Sequence, residues 1–201
     1  MSAKKLTAQI ELMSGLSPRK IWFTSDTHFF HHQVVEKCQR PFGSVEEMNE
    51  ELIRRWNAVV HSDGIVFHLG DFCFGKSENW HQILDRLKGR IYLVLGNHDA
   101  GHISEDVAAR FEGVAFQMRL NVNGQKIYLN HFPFLAYSGD THGTWQLFGH
   151  LHSTPHSPGI IDAQRLAMLQ PNQYDVGVDN NNFAPVSYQQ IQQILAARSM
   201  R

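Results

Sequence analysis

The sequence predicts an α/β (α+β-like) fold of the four-layer αββα type, in which two mixed sheets face each other and helices cover them outside. The first half alternates apolar runs with amphipathic stretches in the order β-α-β-α-β-α. The second half is rich in hairpin signals. A chain of 201 residues suits one well-packed domain, so we expect a single domain over 1–201, with 1–18 as an N-terminal extension of undecided structure.

Three apolar runs in the first half predict buried parallel strands. They lie within residues 20–28, at 65–69 and within 91–99, where IYLVLGNHD changes from apolar to polar at Gly96. Helices separate these strands. A capping box of Ser44 and Glu47 begins a helix that reaches about residue 60, residues 77–87 form a second, and Ser104 caps a third that reaches residue 111.

The second half begins with a hairpin. Asn123-Gly124 is a strong turn signal and joins predicted strands at 114–121 and 125–130. Short strands follow at 146–148 and 174–178. A capping box of Ser187 and Gln190 then begins a C-terminal helix.

Composition restricts the class of protein. Hydrophobic residues make up 42% of the chain and charged residues 18%, which is typical of a globular protein. The net charge of −1 argues against long nucleic acids as partners. There is no apolar run of transmembrane length, no signal-peptide core, and only two cysteines. We therefore expect a cytoplasmic protein without a membrane partner.

Polar side chains follow five of the predicted strands where each strand ends. The motifs are DTH at 26–28, GD at 70–71, GNHD at 96–99, NH at 130–131 and GHLH at 149–152. One such end is a turn, but five on the same side of a sheet indicate a site, since ligands bind beyond the carboxyl ends of strands in open α/β sheets.

The side chains in these motifs are of metal-ligand type. Oxygen and nitrogen donors without cysteine suit Mn²⁺, Fe or Zn²⁺ rather than a thiolate-rich structural zinc. They are too many for one metal and would fill two sites if one carboxylate bridges: Asp26, His28, Asp71, Asn97, His131, His150 and His152. Two metals about 3.5–4 Å apart activate a water and stabilise the oxygens of an in-line displacement at phosphorus.

The order DTH, GD, GNHD, H, GHLH over residues 26–152 resembles the calcineurin-like metallophosphoesterase superfamily. SDTHFFHH, RPF, HLGDF and VGVD resemble features of small single-domain bacterial and phage phosphoesterases. The resemblance implies that Asp71 bridges two divalent ions, with Mn²⁺ ahead of Zn²⁺, Fe²⁺ and Ni²⁺. It assigns the first ion to Asp26, His28 and His152 and the second to Asn97, His131 and His150.

The resemblance also implies catalytic roles. His98 would face the substrate as general acid or transition-state donor, and Asp99 would orient it. GDFCFG lacks a carboxylate that many relatives carry after the GD motif, which puts substrate placement in doubt. Arg40 and His31 are candidate substrate contacts, with solvated surface side chains as the alternative for both. Asp179 is a candidate for capping or for contacting a ligand residue, and His68 is interpreted as a strand or surface histidine.

We therefore expect in-line attack of a metal-bridging hydroxide on a small phosphate ester. A phosphodiester, such as a nucleotide or cyclic nucleotide, is favoured over a phosphomonoester. A protein phosphatase of the same fold is the nearest alternative, although the sequence lacks the extra arginines and length of such relatives. A non-catalytic metal-binding module is an alternative of another class, but it would not need His98 and Asp99 beside a full ligand set.

Overall fold

The computed structural model describes residues 7–153 and 166–199. Within these residues the strands are β1 Thr7–Met13, β2 Ile21–Thr24, β3 Ile65–His68, β4 Arg90–Val94, β5 Gly113–Val122, β6 Gln125–Asn130, β7 Trp145–Phe148, β8 Gln173–Asp175 and β9 Val186–Ser187. The α-helices are α1 His32–Lys37, α2 Val45–Val59, α3 Ser77–Leu84, α4 Glu105–Ala108 and α5 Tyr188–Ser199. Part of the expected N-terminal extension is thus strand β1, and residues 1–6 lie outside the description.

One continuous mixed sheet contains all nine strands, in the order β8-β7-β6-β5-β4-β3-β2-β9, with β1 paired to β5. Strands β2, β3 and β4 are parallel neighbours, as their apolar runs predict. Strand β5 pairs through residues 113–115 with β4 and through residues 117–122 with β6. The α/β class is confirmed, but two separate facing sheets are not, because the ten residues of β5 join the two halves by hydrogen bonds.

Two hydrophobic cores lie on opposite faces of the parallel strands. Trp22 and Val66 pack with side chains of helices α1–α4, whereas Phe23 and Phe67 pack with side chains of β5–β8 and α5. Successive residues of a strand point to opposite faces, and every residue of β2 and β3 is buried. The sheet therefore curls, so that strands from both halves share the second core.

The local signals that position these elements are mostly confirmed. Ser44 Oγ accepts the Glu47 amide at 3.2 Å at the start of α2, although the Glu47 carboxylate accepts the Gly43 amide rather than that of Ser44. Ser187 and Gln190 form a complete capping box. Asn123 and Gly124 have φ values of 51° and 86°, as a tight hairpin turn requires.

The third predicted cap is confirmed in position but not in its hydrogen bond, since Ser104 is the N-cap residue of α4 without a side-chain cap, and two helices are shorter than expected. Ser104 makes no side-chain cap and instead hydrogen-bonds Ser77 Oγ at 2.9 Å. Helix α3 ends at Leu84 and α4 at Ala108. Among the described helices, none combines the length and the apolar character needed to cross a lipid bilayer.

Candidate metal centre

The segments that follow the strands meet at one edge of the sheet. The Asp26 amide donates to the Gly70 carbonyl at 2.9 Å, and the His28 amide donates to the Asp71 carbonyl at 3.0 Å. These bonds extend the pairing of β2 and β3 beyond the strands and place Asp26, His28 and Asp71 side by side. His131 follows β6 directly, and His150 and His152 follow β7.

The first ligand group consists of Asp26, His28 and His152, whose ligand atoms all lie within 4.8 Å of one another. Asp26 Oδ1 is 4.0 Å from His28 Nε2 and 3.8 Å from His152 Nε2. Asp26 Oδ1 and His28 Nε2 are buried and have no hydrogen-bond partner in the described part of the chain. Buried polar atoms are normally satisfied, so a bound cation fits this position.

The second ligand group consists of Asp71, His131 and His150, again with ligand atoms within 4.8 Å of one another. His131 Nδ1 is 2.8 Å from the Leu69 carbonyl oxygen, which can only accept, so Nδ1 carries the proton. His131 Nε2 is therefore an acceptor in the neutral ring, yet it lies 3.0 Å from Asn97 Oδ1. Two acceptors facing each other suit a cation between their lone pairs, as predicted for both residues.

Asp71, a member of the second group, also approaches the first group. Its Oδ2 is 3.5 Å from His28 Nε2 and 3.5 Å from His131 Nε2, while its Oδ1 accepts the His98 amide at 2.9 Å. Burial raises the pKa of the Asp71 carboxyl to about 6, a shift that neighbouring cations would oppose. This is the position that a bridging carboxylate requires.

The ligand segments are held in strained backbone conformations. Five of the seven predicted ligands have left-handed φ values between 48° and 68°: Asp26, His28, Asp71, His150 and His152. Such conformations cost on the order of 1–3 kcal/mol each in side-chain-bearing residues and persist where the surrounding structure fixes them. Strain concentrated in predicted ligands is typical of a functional site.

Two glycines allow the segments to approach so closely. A Cβ at Gly96 would lie 2.6 Å from the Asp71 amide nitrogen and closer still to its carboxylate. A Cβ at Gly149 would overlap the side chains of Ser25 and Asp26. The glycines of GNHD and GHLH therefore serve packing between ligand segments as well as turn formation.

His98 belongs to neither ligand group and faces the opening of the site. Its side chain is 43% exposed, and its Nε2 is 4.0 Å from Asp71 Oδ2. Burial lowers the pKa of His98, against an opposing effect of Asp99. The imidazole is thus accessible to solvent beside the candidate ligands, and its contact with a substrate stays a prediction.

Asp99 is fully buried and holds two loops together. Its carboxylate accepts the amides of Asp71 at 2.7 Å, Phe72 at 2.9 Å and Gly96 at 2.9 Å. Burial raises its pKa to about 6. These bonds fix the loop after β4 to the loop after β3, and the described contacts of Asp99 do not include the hydrogen bond to His98 that a catalytic dyad implies.

Arg40 is not a substrate contact, because its side chain is buried and its donors are used within the protein. Its guanidinium donates to Asp179 at 2.9 and 2.8 Å and to the carbonyls of Thr27 and Asp26 at 3.0 and 2.7 Å. The prediction of a phosphate-binding Arg40 is therefore wrong. Its alternative, a solvated arginine, is wrong as well.

Asp179 connects Arg40 to the first ligand group. Its Oδ2 accepts from His152 Nδ1 at 2.8 Å, which leaves His152 Nε2 facing Asp26. Burial lowers the pKa of His152, but the hydrogen bonds to Asp179 and Cys38 outweigh that effect and raise it to about 11. Of the two roles considered for Asp179, contact with a ligand residue is the one observed.

His31 lies at the rim of the site. Its Nδ1 is 3.2 Å from His28 Nδ1, and its ring stacks on Phe74 at a centroid distance of 3.8 Å. Phe74 also lies 4.9 Å from the His98 ring. Substrate contact by His31 stays a prediction. Phe74 was not anticipated, although it follows Asp71 by three residues in the loop that the GD motif begins.

Comparison with known proteins agrees with this geometry. The profile of the family described as calcineurin-like phosphoesterase matches residues 19–179. The chain is 35% identical to the uncharacterized protein MJ1445 of Methanocaldococcus jannaschii, over 86% of this chain and 89% of that one. It is 30% identical to the gene 66 protein of Mycobacterium phage L5, over 79% and 86%. A protein of unknown function from Aquifex aeolicus, AQ665, shares the fold with a TM-score of 0.67, 23% identity and coverage of 87% and 98%. The chain thus belongs to the calcineurin-like phosphoesterase family.

Proposed function

We propose that this protein is a dinuclear metal-dependent phosphodiesterase that hydrolyses a small substrate. The observation that carries the proposal is the meeting of two acceptor groups at Asp71, with buried Asp26 Oδ1 and His28 Nε2 lacking partners within the described chain. When bound, two divalent ions stabilise negative charge on phosphate oxygens and lower the pKa of a water. Mn²⁺ is the first candidate.

Three side chains outside the ligand groups would contact the substrate or position the residues that do the chemistry. His98 has an accessible ring beside Asp71 and can donate a hydrogen bond from Nε2 or a proton to the departing alcohol oxygen. Asp99 holds the loops that carry Asp71 and His98. Asp179 accepts from His152 Nδ1 and so orients that ring.

A phosphodiester is favoured over a phosphomonoester by charge. A monoester carries one more negative charge at neutral pH, and Arg40 is committed to Asp179 and two carbonyls. The small net charge of −1 supports a small ester, such as a nucleotide or cyclic nucleotide, rather than a long nucleic acid. Cys38 and Cys73 are both free and buried, which agrees with action in the reducing cytoplasm.

The test compares bis-p-nitrophenyl phosphate with p-nitrophenyl phosphate, using metal-free protein supplied in turn with Mn²⁺, Zn²⁺, Fe²⁺, Mg²⁺ or Ni²⁺. We expect metal-dependent turnover with the diester preferred. Turnover of the monoester alone would replace the proposal with a phosphatase. Absence of turnover with two ions bound would favour a non-catalytic metal-binding module. An Asp71→Asn variant, analysed for metal content, is the matched control and is expected to lose function at both sites together.

A further inference from the structure

An open apolar pocket adjoins the second ligand group. The cavity has a volume of about 320 Å³, within the range of small-molecule sites. Its lining includes Phe132, Phe134, Leu135, Leu151, Met168 and the candidate ligand His150. A ligand residue therefore forms part of the wall, so the pocket and the metal centre are contiguous.

The pocket exposes large apolar side chains to solvent. Leu135 is 76% exposed, Met168 63% and Phe132 44%. Isolated exposed apolar residues are common, but several of them around one cavity indicate a surface that binds a ligand or another protein. The adjoining metal centre indicates that the occupant is part of its substrate.

Two buried glutamines hold the loop at residues 132–135, which lines the pocket, in place. Gln146 Nε2 donates to the Phe132 carbonyl at 2.9 Å, and Gln146 Oε1 accepts the Phe134 amide at 3.0 Å. Gln173 Nε2 donates to the Phe134 carbonyl at 2.8 Å. These backbone groups are already paired, so the pocket offers apolar contact more than hydrogen bonding to its occupant.

The position of Phe132 connects the pocket to the chemistry. Its ring centroid is 4.6 Å from that of His150 and 4.8 Å from that of His131. Phe132 therefore lies beside two candidate ligands, within reach of an ester substituent of a phosphate held there. We propose that the pocket binds the aromatic ring of one ester group of the substrate, an inference that rests on the proposed phosphodiesterase function.

The first test uses two diesters with the same leaving group, p-nitrophenyl phenyl phosphate and p-nitrophenyl methyl phosphate. We expect kcat/KM to be higher for the phenyl ester by about tenfold, since burial of a ring contributes only to that substrate. Leu135→Gln and Met168→Gln should each reduce this ratio. Val59→Gln, which changes an exposed apolar residue at the end of α2, should leave the ratio unchanged.

A third diester, the p-nitrophenyl ester of thymidine 5′-phosphate, separates the two sources of an aromatic ring. A kcat/KM above that of the phenyl ester would assign the ring to a nucleobase, and one at or below it would assign the ring to a simple aryl group. Equal kcat/KM for phenyl and methyl esters, or a ratio that survives both pocket variants, would overturn the proposal.

A second readout does not depend on turnover. In Zn²⁺-loaded protein labelled with [¹³C-methyl]methionine, the Met168 signal is assigned by its absence in Met168→Leu. We expect phenylphosphonate to shift this signal and methylphosphonate to leave it in place. A shift of the Met168 signal without hydrolysis of any ester would support ring binding in the pocket but contradict the phosphodiesterase function. Hydrolysis of the diesters without a preference for the phenyl ester and without a shift of the Met168 signal would support the phosphodiesterase function but contradict ring binding in the pocket.

Discussion

Substitution of His98 can separate an effect on turnover from an effect on metal binding. The His98 ring is accessible and lies outside both ligand groups, while its amide donates to Asp71 Oδ1. We predict that His98→Ala binds both ions and has the melting temperature of the unaltered protein, because the hydrogen bond from the backbone amide of residue 98 to Asp71 remains. Its kcat should fall by about 10²–10⁴-fold, as for loss of a general acid.

Elemental analysis, thermal unfolding and diester kinetics measure these three effects in His98→Ala. The matched control is His102→Ala, which removes an exposed histidine four residues later and should leave turnover unchanged. Loss of metal from His98→Ala, or normal turnover by it, would show that the role given to His98 is wrong.

Asp179 acts on the metal centre through His152 rather than by direct contact. Asp179→Asn weakens the acceptor for His152 Nδ1 and removes the charge that pairs with Arg40. We predict that affinity for the first ion falls by about 10–100-fold, as for other residues that orient ligands. Competition with a fluorescent chelator measures the affinity, and circular dichroism identifies the folded fraction. Unchanged affinity for both ions in the folded variant would contradict this role.

His68 gives the stability of the protein a defined dependence on pH. It is fully buried, with Nε2 2.9 Å from Thr27 Oγ1, and burial lowers its pKa to about 3. Between pH 6.5 and 3 the unfolded chain binds a proton that the native His68 does not. Stability therefore falls as pH decreases through this window, by about 1.4 kcal/mol per pH unit from this residue.

The comparison for His68 is with His68→Gln, whose amide retains a donor toward Thr27. Urea unfolding from pH 6.5 to 4.5 should show a steeper loss of stability in the unaltered protein than in the variant. Parallel pH profiles for the two proteins would show that His68 does not contribute the difference.

At the scale of elements, short strands determine where the ligands lie, and tight loops determine how they point. Strands β2 and β3 have only four residues each, and the loops after them are hydrogen-bonded to one another. Left-handed ligand residues and glycines at contact points bring side chains from separate strands within reach of shared ions. The loops are therefore expected to be less tolerant of added volume than the strand ends.

Gly96→Ala tests this dependence on close packing. The added methyl group would meet the Asp71 amide and carboxylate, so Asp71 must move. We predict loss of tightly bound metal with the secondary structure retained. Gly101→Ala is the control: it has a φ of 85° and open space at its Cβ, so it adds backbone strain without contact. Equal metal content in the two variants would indicate that the packing at Gly96 is not required.

Across the whole molecule, features specified by local sequence could be predicted, and those specified by distant pairing could not. Strands β2–β4, the hairpin at Asn123 and the start of α2 follow from apolar runs, turn residues and caps. The union of both halves through β5 depends on non-local strand pairing, which local patterns do not specify.

The same limit applies within the site. The candidate ligand residues can be identified from sequence because they occur in short motifs at strand ends. Arg40 and Asp179 are 139 positions apart, and neither carries a local sign of the other. The amide contacts of Asp99 likewise join two loops that meet only in the folded sheet.

We expect two ions to act together in one phosphodiesterase site. The most direct test is a titration of metal-free protein with Mn²⁺ during hydrolysis of bis-p-nitrophenyl phosphate. We expect no turnover without metal, and a turnover rate that increases until two ions are bound per chain. Full turnover at one ion per chain, or turnover that does not depend on metal, would contradict this expectation.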